Sequence, residues 1–157
     1  MRIIVDAYNV ILSEGRSASH RLSLREAREE IIAELLRYQK IRGHAVTLVF
    51  DATESGEVQE TRELVGGVAV IFTKKGETAD EAILDLVEAY SGSERIVVSS
   101  DMNVVRGARR RGAAAISSEE FLGKIEWALS GGVPEREETQ KKPGHFLRRE
   151  AISLSKL

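Results

Sequence analysis

The chain has 157 residues, 42% apolar and 31% charged, which bounds it to about one ordinary globular domain with a real core. It has no cysteine, excluding disulfides, zinc–thiolate sites and cysteine nucleophiles, and its three histidines (His20, His44, His145) show no paired-ligand spacing. A net charge of −2 argues against a generally basic nucleic-acid binder, though not against local basic patches.

Met1 leads straight into a strand with no signal-peptide pattern, and no apolar run approaches transmembrane length, so the expected address is the cytoplasm. That first strand, Ile3-Ile4-Val5, is a run of branched apolar residues that reads as buried on both faces, with Asp6 at its carboxyl end. A loop from Val10 to Ser23 carries Arg16, His20 and Arg21. Ser23-Leu24-Arg25-Glu26 is a capping box. The helix it opens has Leu24, Ala27, Ile31, Leu35 and Tyr38 at helical spacing and stops at Gly43. Residues 45–50 form the second strand, with Asp51 just beyond it.

Residues 52–66 read as polar and acidic with some helical character. Residues 68–72 are the third strand, followed by Thr73, Lys74 and Lys75. Thr78-Ala79-Asp80-Glu81 caps a helix with an apolar face at Ile83, Leu86, Val87 and Tyr90. The fourth strand, 95–99, ends in Ser100 and Asp101, and a short basic helix runs from about Asn103, its expected cap, to Arg111. Residues 113–116 form a fifth strand, and Ser117-Ser118-Glu119-Glu120 caps a last helix in which Phe121 and Trp127 read as core, like Tyr38. Strand–helix alternation predicts an α/β fold: a parallel sheet in three layers with right-handed crossovers. The composition shifts at Ser130, so residues 1–129 read as the domain and 130–157 as a linker and mildly basic tail, its end either a docked helix or a segment that orders with a partner.

Asp6, Asp51 and Asp101 each follow an apolar strand, and Asp80 and Glu81 open the helix after the third strand, so all five belong to one edge of the sheet. Carboxylates gathered without matching cations repel, so either some are protonated or a cation neutralises them. Oxygen donors without Cys or His favour Mg²⁺ or Mn²⁺. Such an ion lowers the pKa of a bound water and stabilises charge on a phosphate. Each acid also has a plainer reading. An Asp after a strand is often a turn or cap, Asp80 suits a helix dipole, Glu81 suits the capping box, and Asp51 suits a water-holding role.

Val5-Asp6-Ala7-Tyr8-Asn9-Val10, then Val49-Phe50-Asp51, Thr78-Ala79-Asp80 and Ser99-Ser100-Asp101 resemble, in order, the YacP-like branch of the NYN domain, within the PIN-like nucleases. The likeness covers roughly residues 1–129, and its one departure is Ala7, where the family usually has glycine. It implies a five-stranded parallel sheet of order 3-2-1-4-5 and a Mg²⁺- or Mn²⁺-dependent endoribonuclease leaving 5′-phosphate and 3′-hydroxyl ends. By the same resemblance Asp6, Asp80 and Asp101 match the metal-holding acids, with Asn9, Ser99 and Ser100 beside them as orienting or substrate-contacting groups. Lys74, Lys75, Arg16, Arg21, Arg106, Arg109 and Arg110 are candidates for the RNA backbone, with dipole complementation as the plainer role for the arginines. Tyr8 could stack on a base but reads first as core. RNA is the expected partner and the ribosome a further one. The rival function is a non-catalytic RNA- or ribosome-binding module that keeps the fold.

Overall fold

The computed structural model describes residues 1–13, 23–52, 59–133 and 154–157. At its centre lies β1 (Arg2–Asp6), parallel to β2 (Ala45–Phe50) on one side and separated from it by the long excursion through helices α1 (Ala7–Ile11) and α2 (Leu24–Arg42). Period-2 alternation sends Ile3 and Val5 into one core and Ile4 into the other, which is why an unbroken apolar run suits this position.

After β2 the chain makes β3 (Thr61–Val65) and β4 (Val68–Phe72), then α3 (Ala79–Ala89), β5 (Arg95–Val98), α4 (Met102–Arg110), β6 (Ala114–Ile116) and α5 (Ser118–Leu129). The sheet order is β3-β4-β2-β1-β5-β6. The strands expected from sequence are parallel to their neighbours in the anticipated succession. The sheet itself has six strands and is mixed, because β3 joins the β4 edge antiparallel. This corrects the all-parallel, five-stranded expectation; of residues 52–66, expected to have some helical character, Ala52 is helical, 53–58 lie outside the described residues, and Thr61–Val65 are strand instead.

β3 hid for a physical reason: Thr61 to Leu64 are all exposed, so an edge strand with one neighbour and no covering layer shows no apolar alternation. Its turn is two residues long, Gly66-Gly67, between paired Val65 and Val68. Gly66 has φ +62°, so its left-handed backbone favours glycine, and a Cβ there would lie 2.5 Å from Leu36 Cδ2 and push the end of that side chain aside.

The helices divide between the two faces. α1, α2 and α5 bury Val10, Ile31, Leu35, Tyr38, Phe121 and Ile125 against one side, while α3 and α4 bury Ile83, Val87, Val104 and Ala108 against the other. Caps fall where the sequence placed them: Ser23 accepts from Glu26 N–H, Ser117 from Glu120 N–H, and Gly43 closes α2 at φ +75°. Trp127 departs from expectation. It lies on the outer side of α5, 58% exposed, its indole N–H donating to Val133 O at 3.4 Å. Leu157 is buried, and its backbone oxygen accepts from Tyr38 Oη (3.2 Å) and Arg42 Nε (3.0 Å), so residues 154–157 lie on the α2 face of the body. Residues 134–153, most of the basic tail, fall outside the described residues.

Candidate functional site

Asp6 ends β1 at the point where the connections diverge to β2 on one side and to β5 on the other. It occupies the N-cap position of α1, yet its side chain makes no capping hydrogen bond. Its Oδ2 instead accepts from Ser99 Oγ at 2.8 Å, and the residue is 8% exposed. Burial pushes Asp6 up to about 6; the Ser99 hydrogen bond opposes this, and the carboxylates of Asp80, Asp101 and Asp51 add to it. The same Ser99 oxygen accepts from Asp101 N–H at 3.1 Å, so one hydroxyl ties the end of β1 to the turn after β5. Ser99 is therefore an orienting group for the carboxylate of Asp6, and it meets Asp101 through that residue's backbone. Asp101 is itself the cap of α4, accepting from Asn103 N–H at 2.8 Å, so the cap assigned to Asn103 moves two residues back.

Asp80 lies in the first turn of α3, its carboxyl raised by burial and then by Asp101, Asp51 and Glu81. Asp51 Oδ2 accepts from Ala79 N–H at 3.0 Å, fastening the start of α3 to the end of β2. Glu81 completes the capping box, accepting from Thr78 N–H at 3.2 Å while its own N–H donates to Thr78 Oγ1. Buried Thr73 accepts from Ala52 N–H at 2.8 Å and donates to Glu77 O at 3.0 Å, clipping the same rim together. Among the described residues, no three acids stand close enough to hold one ion directly. Mg²⁺, however, usually keeps several waters and binds through one or two carboxylates. An all-oxygen, partly desolvated and mutually repelling donor set therefore fits a hydrated hard cation, rather than a dry cage.

Beside the acids runs a polar network whose outer members sequence reasoning missed. Asn9 Oδ1 accepts from Ser100 N–H at 2.8 Å and from Ser118 Oγ at 2.6 Å. Ser100 Oγ accepts from Ser118 N–H at 3.0 Å and donates to Glu119 Oε2 at 2.9 Å. Ser118 is fully buried. Its place in a helix-capping motif accounts for the whole Ser-Ser-Glu-Glu signal, so the sequence carries no separate sign of the Asn9 contact.

The YacP-like NYN domain matches residues 3–154. The chain belongs to the YacP-like NYN family. It is 33% identical over 129 residues to the uncharacterized protein YacP of Bacillus subtilis (strain 168), covering 79% of this chain and 74% of that protein. Crystal structures of Rae1 (YacP) from Bacillus subtilis superpose with a TM-score of 0.70 at 29% identity, covering 83% of this chain and 76% of that one. A mutant of the same protein superposes with a TM-score of 0.70 at 32% identity, over 83% and 77%.

Against the family's acidic motifs, the basic candidates are scattered. Lys74 and Lys75 are exposed in the turn after β4, on the acid rim. α4 starts at that rim and runs away from it, so Arg109 and Arg110 lie ~12 Å down its axis from Met102. There Arg110 Nε donates to Arg106 O and Arg109 Nη2 to Ala115 O, both at 3.4 Å. Arg16 and Arg21 lie outside the described residues. Tyr8 is core: its ring meets Phe50 edge-on at 5.0 Å and its hydroxyl accepts from Arg28 Nη1 at 3.2 Å. Among the described residues, no helix is long and apolar enough to cross a membrane.

Proposed function

We propose that the protein is a metal-dependent endoribonuclease that hydrolyses RNA phosphodiester bonds, with Asp6, Asp80 and Asp101 holding Mg²⁺ or Mn²⁺. The observation that carries this reading is the convergence of three acids from separate elements on one rim: Asp6 at the end of β1, Asp101 after β5 and Asp80 in the first turn of α3, with Ser99 bonded to both the Asp6 carboxyl and the Asp101 N–H. Acids whose only task was capping would have no reason to gather where they destabilise one another. When bound, the ion supplies an acidified water and neutralises charge on the phosphate. The chain's own residues do the positioning. Ser99 fixes the Asp6 carboxylate, and Asp101 is held by the helix it caps. Asn9 has its Oδ1 occupied by two donors, so its amide NH₂ is what remains to meet a substrate oxygen. Lys74 and Lys75 supply charge for a phosphate on the rim.

The test is cleavage of unstructured RNA with Mn²⁺ by the protein and by the Asp6→Asn/Asp101→Asn double variant. Loss of cleavage by at least a hundredfold is expected in the variant; equal cleavage ends the claim. A second reading, a non-catalytic RNA- or ribosome-binding module, is favoured because no three acids among the described residues stand close enough to hold one ion directly. RNA or ribosome binding that survives EDTA, with no strand scission in Mn²⁺, would select it.

A further inference from the structure

At the β6 edge of the same rim, next to the acids, lies a hollow of about 330 Å³. Its lining is mixed: Met102 (53% exposed), Val105, Ala115 and Ile116 make an apolar part, and serines, Arg109 and two glutamates make the polar part. Buried Ser99, which holds Asp6, and Ser100 form its inner side, so the hollow adjoins the acid site through these two residues.

Glu119 stands at the opening, and it differs from an ordinary surface glutamate. Fully exposed, it is nevertheless held in place by its own backbone N–H, Ser100 Oγ and the Ser117 side chain, which keep its carboxyl below the usual range. Ser100 is in turn fixed through Asn9. The carboxylate is thus pre-set on the lining of this hollow, facing its apolar part, with Glu120 beside it.

Two negative side chains exclude a phosphate from this mouth. What they accept is N–H, and what the walls desolvate is a flat ring. Met102 is suited to the ring, since its thioether adapts to aromatic faces. The volume, at the small end of the range for ligand sites, has room for one ring system. Single-stranded RNA is read by splaying a base out, stacking it and bonding its edge. We propose that this hollow takes the nucleobase next to the scissile phosphate and favours guanine. Guanine's N1–H and N2–H₂ offer a carboxylate paired donors, and its O6 and N7 accept from a guanidinium such as Arg109, which lines the far wall. Uracil offers the carboxylate one N–H.

This assignment rests on the nuclease reading for its place along the strand, and two measurements separate the two claims. The first maps the ends produced from a randomised RNA by the protein with Mn²⁺. Guanine is expected at one fixed position beside the cut, with the preference reduced about tenfold by Glu119→Gln and by Met102→Ala. The second, in EDTA, compares fluorescence-anisotropy binding of an oligouridine with the same oligomer carrying one guanosine. Tighter binding of the guanosine oligomer, lost in Glu119→Gln, supports the base site even if no RNA is cut. Cleavage with no base preference, or a preference unchanged in both variants, overturns the inference and leaves the nuclease reading intact. Where no RNA is cut, equal affinity for the two oligomers overturns it as well.

Discussion

Asp6 has an ordinary carboxyl pKa near 3.8 when the chain is unfolded and about 6 when it is folded. The folded chain therefore retains a proton that the unfolded chain releases, and stability falls as pH rises from about 4 through about 6. Above that window the whole penalty is present, up to about 3 kcal/mol for a shift of this size. Asp6→Asn keeps an acceptor for Ser99 and removes the charge. It is expected to stabilise the protein by up to this amount at pH 8 and by almost nothing near pH 3.5, as read from urea midpoints at the two pH values. Equal effects at both would mean that Asp6 is not held above its ordinary range. At this scale the sequence was most legible where an acid closes an apolar strand, directly at Asp6 and after two serines at Asp101. It was least legible where one short motif serves two tasks. Asp101 is both a cap and a member of the acid group, and Ser118 lies in a capping motif while donating to Asn9. Nothing in the letters separates those uses; only the distance across the rim does.

The elements divide along similar lines. Strands buried on both faces must be apolar throughout, so β1, β2, β4 and β5 announce themselves, and helices with one covered stripe show the 3.6 period. β3 has neither constraint, and its only signature is the Gly66-Gly67 turn between Leu64-Val65 and Val68, a two-residue hairpin signal that a scan for apolar periodicity passes over. That turn is testable. Gly66→Ala forces a side chain into left-handed backbone, costing about 1–2 kcal/mol, and drives its Cβ toward Leu36. The loss should appear in the urea midpoint and, more locally, as faster amide exchange across β3 than across β1. Uniform acceleration in both strands would instead make the β3–β4 hairpin part of the global folding unit.

Over the whole molecule, the crossing of connections at β1 gives the acids their meeting place: parallel neighbours β2 and β5 both present their carboxyl ends beside Asp6, and α3 and α4 begin there. That convergence exists only in the folded chain, so an ion held by these carboxylates stabilises the fold by mass action, by roughly 2.7 kcal/mol at a hundred times its dissociation constant. For a chain of this size the corresponding rise in Tm is roughly 5–10 °C. Removing the charges has its own stabilising effect without metal, so the informative quantity is the Tm in Mn²⁺ minus the Tm in EDTA, measured for each protein separately. At pH 7.5 this difference should be several degrees in the natural sequence and near zero in Asp6→Asn/Asp101→Asn. At pH 5, below the raised pKa of Asp6, a proton competes for the carboxylate and the difference should shrink. A shift of equal size in both proteins would place the ion elsewhere on the surface. No shift at pH 7.5 in the natural sequence would leave the acid group as a strained, unliganded rim and shift the balance to the RNA-binding reading.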